Sequence, residues 1–112
     1  MRIYHNPRCS KSRQAKQLCE AAGVELEVVE YLNTPLDEVM LRELLGQLGL
    51  QAHAVVRTKE EIYDQLGLSP DSPEETVLAA IIKYPILLER PIVVKGNRAV
   101  IGRPPEKVNE LL

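Results

Sequence analysis

The sequence predicts an α/β fold with a mixed four-stranded sheet flanked by helices, and three observations support this class. The N-terminal third alternates an apolar strand, an amphipathic helix and a second apolar strand. The middle carries three short segments with helix-start signals, and the C-terminal part holds two β-branched runs around a Gly-Asn turn. A chain of 112 residues has the size of one domain, expected to cover 1–112 with a helical insert at about 36–84.

The first three elements predict a parallel pair of strands. A strand at 2–5 is followed by a helix at about 11–22, and Gly23 ends that helix before a second strand at 25–31. Because a helix joins the two strands, they are expected to run parallel. The apolar residues of the helix recur at i, i+3, i+4 and i+7 and predict a buried stripe of Ala15, Leu18, Cys19 and Ala22.

Three helices are predicted in the insert. The first has an N-cap at Thr34 and a proline at its first position, and it ends at Gly49. The second and third begin at Ser/Thr-x-x-Glu capping boxes, at 58–61 and 72–75. Pro85 ends the third helix, because the residue before a proline is disfavoured in the α conformation.

The C-terminal residues predict an antiparallel hairpin and a last helix. Strands at 92–94 and 99–101 flank a turn centred on Gly96 and Asn97, and Pro104-Pro105 opens a helix carrying Val108, Leu111 and Leu112. The complete order is βαβ, helical insert, ββα. This order is thioredoxin-like.

Composition restricts the classes of partner. Fourteen basic and sixteen acidic residues give a net charge of −2, and there is no Trp or Phe, so neither nucleic acid nor an anionic membrane is an expected partner. Two cysteines are too few for a disulfide framework or a structural zinc site, so no metal is expected. The N-terminus has no apolar signal region, and reduced thiols in the cytoplasm are expected.

Cys9 is the residue with the clearest chemical signal. It lies between the first strand and the first helix, where backbone N–H groups and the positive end of the helix dipole stabilise a thiolate. Arg8, Lys11 and Arg13 add positive charge nearby. The same features attract an oxyanion, so the sequence predicts a nucleophile beside an anion site.

Three arginines lie at the edges of predicted elements, where side chains from distant segments can converge. They are Arg57, Arg90 and Arg103. In a thioredoxin-like arrangement the start of the strand after Pro91 lies beside the start of the first helix, so Arg90 is expected to face Cys9. The same analogy predicts a cis bond before Pro91.

Together these motifs resemble one bacterial family. The segments are His5-Asn6-Pro7-Arg8-Cys9 with Ser12-Arg13, Arg57-Thr58-Lys59-Glu60, Glu89-Arg90-Pro91-Ile92-Val93 and Gly102-Arg103-Pro104. Their combination and spacing resemble the glutaredoxin-coupled arsenate reductase family. The resemblance implies that Cys9 is catalytic and that Arg57, Arg90 and Arg103 hold arsenate. It also assigns supporting positions, His5 beside the thiolate, Ser12 donating a hydrogen bond to the sulfur, and Arg13 within the motif.

The resemblance further implies an arsenate reductase with no bound cofactor. The Cys9 thiolate attacks arsenic, glutathione attacks the adduct as co-substrate, and glutaredoxin completes the release of arsenite. The sequence agrees, because Ser12 stands where a Cys-X-X-Cys pair would have its second thiol. Family members often have Gly-Thr after the cysteine, whereas this chain has Ser10-Lys11, which leaves the physiological substrate open.

Other interpretations stay open at this stage. The chain could be a redox-responsive regulator that binds RNA polymerase, although that type has a Cys-X-X-Cys pair, or a single-thiol glutathione-dependent disulfide reductase. Arg57 could pair with Glu60 or Glu61 on the following helix. His5 could be a satisfied histidine at a strand end, and Cys19 is expected to pack in the core.

Overall fold

The computed structural model describes the whole chain, Met1–Leu112, and contains four short strands. They are β1 (Arg2–Tyr4), β2 (Glu27–Val29), β3 (Ile92–Lys95) and β4 (Arg98–Ile101). They form one sheet in the order β2-β1-β3-β4. β1 and β2 are parallel, while β3 is antiparallel to both β1 and β4. The predicted α/β class, the mixed four-stranded sheet and the parallel first pair are confirmed.

Four α-helices and three 3₁₀ segments complete the structure. The α-helices are α1 (Ser10–Ala21), α2 (Glu38–Leu48), α3 (Glu61–Gln65) and α4 (Glu74–Lys83), and the 3₁₀ segments are Ala52–Ala54, Pro85–Leu87 and Pro105–Glu110. Gly49 ends α2 in the left-handed conformation, with φ of 69°, as its place after the last apolar residue predicts. None of the helices has the length and apolar character needed to cross a membrane.

The predicted N-caps of the insert helices are wrong. Asp37, not Thr34, caps α2, and its carboxylate accepts the N–H of Met40 at 2.8 Å. An ionised cap at a helix N-terminus also gains from the helix dipole, which favours the later start.

Neither capping box forms. Helix α3 begins after Glu60 and α4 after Pro73, both without a side-chain cap hydrogen bond. In the second box both capping groups have other partners, since the Ser72 hydroxyl accepts from the backbone N–H of Ser69 and the Glu75 carboxylate accepts from Arg42.

The last helix is a 3₁₀ segment rather than the predicted α-helix. Pro105, Val108 and Leu111 are buried and recur every third residue, which matches the three residues per turn of a 3₁₀ helix. Leu112, also predicted on this helix, is 40% exposed. Ala22 is also exposed, because α1 ends one residue before it.

Backbone contacts divide the chain into two compact units, one of Met1–Thr34 with Arg90–Leu112 and the other of Pro35–Glu89. The first holds the sheet, α1 and the C-terminal 3₁₀ segment, which pack around a core of Ile3, Ala15, Cys19, Val93, Val108 and Leu111. The second is helical, with buried residues Leu41, Leu44, Val77, Leu78 and Ile81. The predicted insert at about 36–84 falls in the second unit, and the single-domain organisation stays a prediction.

Candidate functional site

The loop between β1 and α1 places Cys9 at the N-cap of α1. The backbone there is extended, with φ of −92° and ψ of 121°, so the helix begins at the next residue. A turn before the helix is closed by the N–H of Cys9, which donates to the carbonyl oxygen of Asn6 at 3.0 Å. The thiol is half-buried and therefore reachable from solvent.

The surroundings of Cys9 favour its thiolate. Burial raises the pKa of the thiol, but the backbone N–H of Ser12, the guanidinium of Arg90 and the backbone N–H of Lys11 outweigh it, and the net pKa is lowered. The sulfur closes no cap hydrogen bond of ordinary geometry. These N–H groups therefore act mainly by electrostatic attraction from the first turn of the helix.

The sheet register explains why Arg90 and Arg103 reach the same end of the fold as Cys9. Ile92 of β3 pairs with Tyr4 at the end of β1 and with Ile101 at the end of β4. Arg90 precedes Ile92 by two residues and Arg103 follows Ile101 by two residues. Both arginines therefore leave the sheet at the edge where β1 runs into the thiol loop.

At this edge two guanidinium groups approach the sulfur. The guanidinium of Arg90 interacts with Cys9 and lowers the pKa of its thiol. Nη1 of Arg103 lies 3.9 Å from Sγ and also donates to the carbonyl oxygen of Arg90 at 3.1 Å. The peptide bond before Pro91 is cis, as predicted, and so is the bond before Pro104. The result is a thiol flanked by two cations that each carry further N–H donors.

His5 and Ser12 are joined behind the thiol. The two side chains are buried, and His5 Nδ1 lies 2.6 Å from Ser12 Oγ. The Ser12 hydroxyl also accepts the N–H of Asn6 at 3.1 Å. The partners of this hydroxyl are His5 and Asn6, whereas Ser12 lowers the pKa of Cys9 through its backbone N–H, so a bond from the hydroxyl to the sulfur stays a prediction.

The surroundings of His5 favour its neutral form. Burial lowers the pKa of His5, and the nearby positive charge of Lys16 lowers it further, with only partial opposition from Glu30. A neutral imidazole supplies no net positive charge to the thiolate. The contact between His5 and Ser12 therefore holds the Ser12 side chain in place and does not stabilise the thiolate by charge.

Two other residues shape the loop. Asn6 is 5% exposed, and its Oδ1 accepts the N–H of Arg8 at 3.0 Å, so this side chain belongs to the site although it was not singled out from the sequence. The Asn-Pro dipeptide that begins a turn was the available signal. Arg13 is exposed, and its Nη1 donates to the carbonyl oxygen of Pro7 at 3.0 Å. This bond connects α1 to the loop on its solvent side.

Arg57 belongs to the other contact unit and is bound by carboxylates there. Its Nε donates to Glu60 and its Nη1 donates to Glu89, each at 3.0 Å. Burial lowers the pKa of Arg57, but hydrogen bonding to Glu60 and the charge of Glu89 outweigh it and raise the net pKa. The sequence already allowed a pairing of Arg57 with Glu60, and the structure adds Glu89 as a second partner. A role for Arg57 in binding arsenate stays a prediction.

Cys19 lies on the buried face of α1, in the core as expected, and burial raises the pKa of its thiol. At a helical rise of about 1.5 Å per residue, it lies roughly 15 Å along α1 from Cys9, beyond the reach of a disulfide. No group of three or more His, Cys, Asp or Glu side chains is arranged to hold a metal ion.

The fold and the thiol geometry together define a thioredoxin-like protein with one activated cysteine beside two arginines. The profile of the ArsC family matches residues 4–111. The chain therefore belongs to the ArsC family.

Similar proteins span the chain almost completely. The uncharacterized protein YfgD of Escherichia coli K12 is 50% identical, covering 100% of this chain and 96% of its own length. The arsenate reductase of Neisseria meningitidis is 45% identical, covering 100% and 97%. Among solved structures, the arsenate reductase from Vibrio cholerae superposes with a TM-score of 0.94 at 44% identity, covering 100% of this chain and 98% of that one.

Proposed function

We propose that this protein is an arsenate reductase in which the Cys9 thiolate attacks arsenic and external thiols complete the reaction. The proposal depends on one observation. The Cys9 sulfur is surrounded by positive groups, which are the guanidinium groups of Arg90 and Arg103 and the backbone N–H groups of Lys11 and Ser12. Planar guanidinium groups match the geometry of a tetrahedral oxyanion, and they also stabilise the attacking thiolate. The names of relatives such as the Neisseria meningitidis enzyme support the same substrate.

The first step forms a bond between the Cys9 sulfur and As(V), and one arsenate oxygen leaves as water. Glutathione then displaces a second oxygen as water, which places two sulfurs on arsenic. A thiolate of glutaredoxin takes the glutathione sulfur, and the electron pair of the arsenic–sulfur bond stays on arsenic, giving As(III). Water finally cleaves the Cys9–arsenic bond, releasing arsenite and the thiolate.

The electron balance explains why outside thiols are part of the proposal. Reduction of As(V) to As(III) takes two electrons, which here come from the thiols of glutathione and glutaredoxin as they are oxidised to one mixed disulfide. Cys19 is buried and about 15 Å from Cys9 along α1, so it cannot serve as the second thiol without local unfolding.

A coupled assay with arsenate, glutathione, glutaredoxin and NADPH tests the proposal. We expect turnover by the wild type, no turnover by Cys9→Ser, and a loss of about 10²-fold in kcat/KM for Arg90→Ala, because a charged donor to the reacting centre is removed. Arg98→Ala is the matched control, since Arg98 is exposed on β4 and should leave the rate unchanged. Arg57→Ala in the same assay tests the third arginine.

Two results would contradict this assignment. Turnover that persists in Cys9→Ser excludes the thiolate mechanism. If no glutaredoxin supports arsenate reduction while a glutathione mixed disulfide is reduced, the lone activated thiol is instead that of a disulfide reductase.

A further inference from the structure

Asn6 is buried immediately before the thiol loop and makes three hydrogen bonds there. Its Oδ1 accepts the N–H of Arg8 at 3.0 Å, its carbonyl oxygen accepts the N–H of Cys9 at 3.0 Å, and its N–H donates to Ser12 Oγ at 3.1 Å. An amide side chain that is 5% exposed is costly to bury unless its polar atoms are bonded.

The three bonds fix the turn that precedes the helix. Asn6 and Pro7 occupy the first two positions of a four-residue turn closed at Cys9, and the asparagine side chain bonds the N–H two residues ahead. Proline fixes φ at the second position but cannot orient Arg8 and Cys9 by itself. The Asn6 side chain therefore holds the N–H of Arg8 within the turn that leads into α1.

The third bond ties this turn to the first turn of α1. Through Ser12 Oγ, the N–H of Asn6 is connected to the residue whose own N–H faces the Cys9 sulfur. His5 holds the same hydroxyl from the other side at 2.6 Å. The bonds from His5 and Asn6 to Ser12 Oγ thus connect the chain before the thiol to the first turn of α1, which follows it.

We propose that Asn6 is a positioning residue for Cys9, whose side chain holds the 6–9 turn so that the N–H groups of Lys11 and Ser12 stay directed at the sulfur. This inference rests on the proposed function only in taking the Cys9 thiolate as the nucleophile. Asn6 has no hydrogen bond to the sulfur and acts through the backbone N–H groups of Arg8 and Cys9 and the hydroxyl of Ser12.

The test is the pH dependence of Cys9 alkylation by iodoacetamide, followed separately at Cys9 and Cys19 by peptide mass spectrometry. In Asn6→Ala the bond to Arg8 is lost, and we expect the Cys9 rate at pH 6 to fall roughly three- to tenfold, with the midpoint of the profile moved to higher pH. Asn6→Ser keeps a neutral, weaker acceptor for the same N–H, and should give an intermediate midpoint.

Controls separate positioning from stability and from the reaction itself. Asn109→Ala removes an exposed asparagine in the C-terminal 3₁₀ segment and should reproduce the wild-type profile. Urea unfolding is measured on every variant, because a merely structural role lowers the unfolding midpoint without moving the pH profile. A Cys9 profile that is unchanged in whichever Asn6 variants fold overturns the inference. No arsenate is used, so failure of arsenate turnover in the wild type contradicts only the proposed function.

Discussion

Cys9 and His5 both have lowered pKa values, and the chemical meaning of the shift is opposite for the two residues. For the thiol, the lowered pKa favours the charged form, and Ser12, Arg90 and Lys11 supply the attraction that overcomes burial. For the imidazole, the lowered pKa favours the neutral form, with burial as the main cause. The positive charge that stabilises the thiolate therefore comes from arginine and the helix N-terminus rather than from histidine.

The lowered pKa of His5 makes the free energy of unfolding depend on pH. Because the folded pKa is lowered, the unfolded chain binds more protons below the usual value of about 6.5, so the unfolding free energy falls as the pH is lowered through that region. His5→Gln, which keeps a polar partner for Ser12, should lose this component between about pH 7 and pH 5.5. The measurement is the urea midpoint at both pH values.

His53→Gln is the control for this experiment. His53 lies in the other contact unit, where its Nε2 bonds the carbonyl oxygen of Ser72 at 2.8 Å. This variant should retain the component assigned to His5. Equal pH dependence in the wild type and in His5→Gln would show that His5 does not titrate differently on folding.

Among the connections between elements, Gly102 joins β4 to Arg103 at a position with no room for a side chain. A Cβ at this position would lie 2.9 Å from Pro91 Cγ, 3.3 Å from Val108 Cγ1 and 3.4 Å from Ala15 Cβ. Its N–H also donates to the carbonyl oxygen of Pro91 at 2.8 Å. Proline has no flexible end that could move aside, so the backbone must shift to admit a side chain.

Gly102→Ala should therefore lower stability by about 1–3 kcal/mol, the usual cost of overpacking, and should also slow the Cys9 reaction by displacing Arg90 and Arg103. Urea unfolding and Cys9 alkylation are the two measurements. Gly46→Ala is the matched control, since Gly46 lies within α2 with nothing near its added Cβ. It should stabilise the protein by roughly 0.5–1 kcal/mol through helix propensity, and a Gly102→Ala variant as stable as the wild type would contradict the packing argument.

The element boundaries show where local sequence signals are sufficient. The turn at Gly96 and Asn97 is found as predicted, because a two-residue hairpin turn depends on backbone preferences of those residues alone. The capping box at 72–75 fails because both of its capping side chains have partners elsewhere, the backbone N–H of Ser69 for Ser72 and Arg42 for Glu75. A cap signal competes with tertiary contacts of similar free energy, and the local pattern carries no information about them.

At the scale of the whole molecule, charge is distributed unevenly along the chain. The net charge is −2, yet the contact unit of Met1–Thr34 and Arg90–Leu112 contains ten basic and six acidic residues, while Pro35–Glu89 contains four basic and ten acidic residues. The first acidic residue of the chain is Glu20, after five basic ones. The thiol thus lies in a locally cationic region of an anionic protein.

This distribution predicts the reactivity of Cys9 toward a charged reagent. We measure the rate of alkylation by iodoacetate divided by the rate with neutral iodoacetamide. At about 10 mM ionic strength this ratio should be several-fold higher for Cys9 than for a free thiol, and at about 0.5 M the two ratios should be nearly equal. The net charge of −2 alone would predict a ratio lower than that of a free thiol at low salt. A ratio below that of the free thiol would mean that the overall charge dominates at the site.

Local patterns in the sequence predict the α/β class, the order of the four strands along the chain and the place of Cys9 between β1 and α1. These depend on apolar periodicity, turn residues and a helix N-terminus, all of which act within a few residues along the chain. Tertiary structure decided which groups meet at the sulfur. Arg103 reaches Cys9 across 94 residues because the order β2-β1-β3-β4 aligns the ends of three strands, and such a pairing of distant segments follows from sheet register rather than from local preference.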